Sequence, residues 1–169
     1  MLKTTIISML SVAGFAALSL TAQNTVTAND AEFLRTAAQA DMTAANLGQT
    51  AQDRAANPQV KDFGKQLATD HTKDYEQLCE LAAKTGQSIP KAIDSRDDRE
   101  IASLDRAKGK TFDHKFLVHE TSEHEKLIHA FKQEAEHGTN PDVKAYANTA
   151  LPVLESHLHH AQDLEKSKS

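Results

Sequence analysis

The sequence predicts an all-α fold of four long helices paired into two hairpins. Three observations predict it. Apolar residues recur at three- and four-residue spacing along four stretches of helical length. Ala and Leu supply most of the apolar surface, Trp is absent and aromatic residues make up 5% of the chain, which suits close-packed helices better than strands. Asn-Pro pairs and glycines punctuate the stretches where helices start and stop.

The first helix is expected from about Asp30 to Arg54, with Phe33, Leu34, Ala37, Ala38, Ala44, Ala45 and Ala51 giving its period. Asn57-Pro58 caps and opens the second, which carries Val60, Phe63, Leu67, His71, Tyr75, Leu78 and Ala82 and stops near Gly86. The third is expected from Thr111, after Gly109, to Gly138, and carries Phe112, Phe116, Leu127, Ile128 and Phe131. Asn140-Pro141 opens the fourth, with Val143, Ala147, Ala150, Leu151, Leu154, Leu158 and Ala161 on its stripe; Pro152 lies inside it and is expected to kink it. Between them, residues 87–110 are too many for a link between adjacent antiparallel helices. They suit a crossover that joins parallel neighbours, with one short helix after Ser95.

The chain begins as an exported protein does. Lys3 precedes an apolar run from Ile6 to Leu20, and small residues follow, so 1–28 reads as a signal peptide cleaved between 22 and 28. Residues 29–169 are then one domain, in the periplasm or secreted. Nothing after the leader is apolar enough for a second membrane segment. Without Lys3 there are 18 basic and 24 acidic residues, a net charge of −6. That excludes nucleic acid and anionic membranes as partners. Cys79 has no second cysteine to pair with and is expected to be a small buried hydrophobe.

The chain also repeats itself. A shift of 83 residues places Phe33-Leu34 on Phe116-Leu117, Asn57-Pro58 on Asn140-Pro141, Val60-Lys61 on Val143-Lys144 and Phe63 on Tyr146. Two similar hairpins joined by a crossover account for that register.

Nine histidines are present, and three sit where leucines are expected. His71, His124 and His157 each fall mid-stripe on a different long helix, and stripes face a core. A buried imidazole needs a hydrogen-bond partner, a metal or a trapped water. At 100° per residue Glu120 shares the inner face of the third helix, Asp74 lies at the edge of the second and Asp41 near the face of the first. The candidate metal ligands are therefore His71, His124, His157 and Glu120, with Asp41 and Asp74 as outlying carboxylates. Imidazole with carboxylate suits zinc or iron. The competing reading is that these histidines only hydrogen-bond Asp70, Asp74, Glu120 or Glu123, fixing register at some cost in stability. His114, His119, His124 and His129 recur every five residues, which spreads them around the helix, so His114 and His129 are expected in solvent. Glu155 with His159, and His157 with His160, could hold metal weakly at the surface.

Leu47-Gly48, Asn57-Pro58 with Val60-Lys61, Asp70-His71-Thr72, Phe112-Asp113 with His124, and Leu151-Pro152 with His157-Leu158 together resemble the ferritin-like family of exported bacterial proteins whose domain has no assigned function. Its members are often labelled outer-membrane proteins. The resemblance spans roughly Asp30 to Leu164 and implies an antiparallel four-helix bundle with a long crossover. It also implies a Glu at the place of Ala44 and an apolar residue at the place of Glu120, so a carboxylate is lost on one helix and gained on another. Di-iron bundles place Glu-x-x-His pairs on two helices, whereas here Ala68 precedes His71 by three and Leu154 precedes His157 by three. No nucleophile motif or phosphate loop is present. The sequence thus points to a binding or structural protein of the bacterial envelope, whose inner histidines are candidates either for a transition metal or for hydrogen bonds alone. The alternatives are a ferritin-like metal-dependent oxidoreductase, and a module that binds an envelope protein through its acidic face without metal.

Overall fold

The computed structural model describes residues 25–167. Most of the expected leader lies outside them. The described residues form five helices and no strand: α1 (Ala28–Arg54), α2 (Pro58–Thr85), α3 (Ser95–Asp105), α4 (Gly109–His137) and α5 (Pro141–Lys166).

The local signals set the ends. Thr27 and Asp30 form a capping box at the start of α1, so that helix opens two residues before Asp30. Asn57 and Asn140 cap α2 and α5 through their side chains, each followed by proline at the first helical position. Gly86 closes α2 with φ +69°, a left-handed turn that favours glycine. The helix at 109–137 starts at Gly109 rather than Thr111, with no side-chain cap on its first turn. Pro152 lies on the exposed side of α5, and the helix continues through it.

The long helices pack as two antiparallel hairpins, α1 with α2 and α4 with α5. Contacts between them fix the register. Phe33 meets Phe131, placing α1 antiparallel to α4, and Phe63 meets Phe116, placing α2 parallel to α4. The stretch between α2 and α4 is therefore a crossover, and α3 packs along α1 and α4. Within the first hairpin the helices touch at glycines. A Cβ on Gly48 would lie 2.5 Å from the Gly64 carbonyl oxygen, and one on Gly64 would lie 2.6 Å from Ala51 Cβ.

The sequence repeat has a structural counterpart. Asp30 Oδ1 accepts from the backbone N–H of Thr139, in the α4–α5 loop, at 2.8 Å. Shifted by 83, Asp113 accepts from Ala56 N at 2.9 Å and Asn57 N at 3.1 Å, in the α1–α2 loop. Each hairpin thus clamps the loop of the other.

Two apolar clusters fill the interior. One gathers Phe33, Leu34, Leu78, Leu127, Phe131, Val143 and Leu154; the other gathers Leu47, Phe63, Leu67, Phe112, Phe116 and Leu164. Along every long helix a polar stretch separates them: Asp41 on α1, His71 and Asp74 on α2, Glu120 and His124 on α4, His157 on α5.

Cys79 is exposed, which overturns its expected burial. It sits one residue past buried Leu78, and 100° of helical rotation carries it off the stripe.

Candidate metal centre

The three histidines on three helices converge. Their ring centroids are 5.3–5.5 Å apart, and all three residues are at most 2% exposed. One ring nitrogen from each lies within 4.8 Å of the others, which brings three possible ligand atoms together.

Each ring has one nitrogen engaged outside the cluster. His71 Nδ1 lies 2.9 Å from Asp41 Oδ1 on α1. His124 Nδ1 donates to the backbone carbonyl of Glu120, one turn back, at 2.9 Å. His157 Nε2 lies 2.9 Å from Asp70 Oδ2 on α2. The opposite nitrogens are left for the centre. His71 Nε2 and His124 Nε2 are 3.4 Å apart. His157 Nδ1 is buried with no hydrogen-bond partner among the described residues.

The proton positions follow from the partners. A carbonyl only accepts, so His124 carries its proton on Nδ1 and presents a lone pair at Nε2. Burial pushes the His71 ring down to about 4 and His124 to about 3, the latter also by its neighbours His71 and His157. His157 is lowered too, by burial first, although its bond to Asp70 opposes the shift. All three rings are neutral near pH 7, the form that ligates a metal. Burial and then the charge of Asp74 hold the Asp41 carboxyl well above the usual range.

The carboxylates named from the sequence border the cluster without joining it. Asp41 reaches the outer nitrogen of His71, and its Oδ2 is buried without a hydrogen-bond partner among the described residues. Asp74 accepts from the Tyr146 hydroxyl at 2.7 Å. Glu120 Oε2 lies 3.5 Å from His124 Nδ1, on the outer side of that ring, and Oε1 is buried without a partner among the described residues. Burial, with Glu123 and Glu100 nearby, raises Glu120 to about 8. Ala44 is buried beside this region, 7% exposed.

The remaining histidines stay out. His114 and His129 are exposed, as their spacing predicts. His119 pairs with Glu100 at 3.1 Å. His159 pairs with Asp163 at 3.0 Å and Glu155 with Lys132 at 2.8 Å, so the surface pair expected between Glu155 and His159 is split between other partners. Sequence reasoning missed two partners. A backbone carbonyl leaves no side-chain signal, and Tyr146 meets Asp74 only through the packing of α5 on α2.

No curated protein matches the chain in sequence. Two solved structures share its fold. A DUF305 fragment from Deinococcus radiodurans is 14% identical with a TM-score of 0.74, covering 85% of this chain and 99% of that one. A DUF305 protein from Streptomyces coelicolor, described as secreted, is 19% identical with a TM-score of 0.68, covering 83% and 92%. At these identities the likeness speaks for the all-α fold. In sequence, residues 15–164 match the family described as domain of unknown function DUF4142, and the chain belongs to that family.

Proposed function

We propose that this protein is an exported helical domain that binds one transition-metal ion, zinc or iron, on His71, His124 and His157. One observation carries the reading: each ring has one nitrogen anchored on an acceptor and the other left facing its neighbours. Metal-bound imidazoles are held in this way, the far N–H donating to a carboxylate or backbone carbonyl. The spacing agrees. Tetrahedral ligands with metal–nitrogen bonds near 2.05 Å stand about 3.3 Å apart, close to the 3.4 Å between His71 and His124. The widest pair, within 4.8 Å, must close by up to about 1.5 Å to reach that spacing. Three neutral imidazoles leave a fourth position for water or a small ligand. An iron-loaded oxidoreductase is the second form of this reading, and oxygen or peroxide consumption by the loaded protein separates the two.

A metal-free reading rests on a different observation. Asp41, His71, His124 and the Glu120 carbonyl form a continuous chain. A protonated Asp41 can donate to His71 Nδ1, His71 Nε2–H to His124, and His124 Nδ1–H to the carbonyl. That network pairs the nitrogens of His71 and His124, but it leaves Asp41 Oδ2 and His157 Nδ1 without partners among the described residues.

Two helical hairpins joined by a crossover support a ferritin-like four-helix bundle, with residues 29–169 as one domain. Among the described residues no helix is long and apolar enough to cross a membrane. The secreted description of the Streptomyces neighbour, with the apolar run from Ile6 to Leu20, supports the periplasm or the exterior. Thr27 caps α1, which favours leader cleavage before it, near Ala22.

The test is thermal. A bound ion at a hundredfold excess over Kd stabilises by about 2.7 kcal/mol, a rise of about 5–10 °C for a domain of this size. The rise is expected to disappear in His71→Ala/His124→Ala and to persist in His114→Ala/His129→Ala. Equal responses in the two double variants would rule out the interior site.

A further inference from the structure

We infer that a divalent cation reaches the histidines through the cleft between α1, α3 and α4, with Glu120 as its inner station. The inference rests on the metal-binding reading above and adds the path. Two clefts approach the three histidines from opposite sides. The first, of about 760 Å³, is lined by α1, α4 and the crossover, and both Glu120 and His124 border it. The second, of about 230 Å³, lies between α2 and α5 and reaches His71 and His157.

Size and chemistry favour the first. Six waters at about 30 Å³ each make a hydrated ion of roughly 200 Å³, which the larger cleft admits with room to turn and the smaller one barely holds. The carboxylates of the second cleft are already engaged, Asp70 with His157 and Asp74 with Tyr146. In the first cleft, Glu120 Oε1 is buried and has no hydrogen-bond partner among the described residues. An ion shedding its water there would find an oxygen ligand one helical turn from His124. The cations at the rim do not oppose it: Arg35 is held by Glu32, Arg96 by Asp97 and Lys126 by Glu123. Glu100, on the α3 side, is engaged by His119 at 3.1 Å, so Glu120 is the carboxylate the cleft offers with an unpartnered oxygen. Ala40 and Ala44 keep the α1 wall low, so the cleft is open where a larger residue would close it. The crossover helix then has a role beyond connection, as the outer wall of this path.

Stopped-flow mixing with Co2+, whose visible bands report imidazole ligation, tests the route. Ala44→Leu narrows the first cleft and Ala150→Leu the second; Ala40→Leu replaces the former if its melting curve shows misfolding. Blocking the true path slows association and dissociation together. We expect Ala44→Leu to slow both by about tenfold with Kd nearly unchanged, and Ala150→Leu to alter neither by more than about twofold. Glu120→Gln is expected to slow association and leave the spectrum of the bound ion unchanged. Slow binding in Ala150→Leu with normal binding in the α1 variant overturns the route and leaves the histidine site standing. A changed spectrum in Glu120→Gln makes Glu120 a ligand and overturns its role as a station. A parent protein that takes up no Co2+ overturns the histidine site and the route with it.

Discussion

His71 is held from two sides, by Asp41 at Nδ1 and by His124 at Nε2. If His71 binds metal as proposed, Asp41 is its support, and the substitution of Asp41 has a specific signature. Asp41→Asn keeps the shape but loses the carboxylate that orients the ring and raises its basicity. Losses of this kind typically cost about 10–100-fold in metal affinity, and isothermal titration with Zn2+ measures it. An unchanged Kd would show that the Asp41 charge contributes nothing to metal binding at His71. A second buried carboxyl makes a separate statement. Glu134 is raised to about 7, by burial first and then by its hydrogen bond to Asp30 and that residue's charge. Its folded pKa lies above the unfolded value of 4.5, so the native state binds the extra proton between the two. The stability it contributes is full below about 4.5 and is lost as pH rises through about 7. Glu134→Gln keeps a donor toward Asp30 without the charge. We expect it to gain on the parent by about 1–2 kcal/mol between pH 5 and 8, read from urea melts at each pH. A parallel pH profile for the two proteins would contradict this.

At the scale of the element, the close approach of α1 and α2 depends on what Gly48 and Gly64 lack. Each added methyl would meet the facing helix within 2.5–2.6 Å. Gly48→Ala and Gly64→Ala are each expected to cost about 1–3 kcal/mol, the range for overpacking a tight interior. A midpoint shift in urea below the lower bound would mean that the helices simply slide apart. The helices were legible in the sequence because their signals are local. Asn57-Pro58, Gly86, Gly138 and Asn140-Pro141 mark the ends, and the three mid-stripe histidines mark the polar layer. Asp41 and Asp70 could be named as nearby carboxylates, but which histidine each would meet was not legible. Asp41 meets His71 and Asp70 meets His157 only because of how the helices register against each other, and a wheel drawn for one helix holds no such information. Glu120 shows the same limit. The wheel put it on the inner face, where it is, but not on the outer side of the His124 ring. Cys79 failed for a smaller reason, since one residue of rotation past Leu78 decides between core and solvent.

At the scale of the whole molecule, the exchanged clamps join the two hairpins. Asp30 lies in the first turn of α1 and holds the loop before α5, while Asp113 sits near the start of α4 and holds the loop before α2. A clamp that ties an element to its own neighbour would let one hairpin open alone. These tie each hairpin to the other, so opening either loop disturbs both. Removing an acceptor leaves a backbone N–H unsatisfied, at about 1–3 kcal/mol, and Asp30 also caps its own helix. Asp30→Ala strands the N–H groups of Thr27 and Thr139, and Asp113→Ala those of Ala56 and Asn57, so both are expected to be costly. The clamps hold different loops, so the double variant should lose the sum to within about 0.5 kcal/mol. Cooperative unfolding requires more than additivity. All three variants should give one urea transition with the parent's m-value and a lower midpoint. A second transition in Asp113→Ala, or a reduced m-value, would mean that the α1–α2 hairpin melts away by itself. The polar layer between the two apolar clusters would then be assembled from two independently stable halves, instead of being held by one fold.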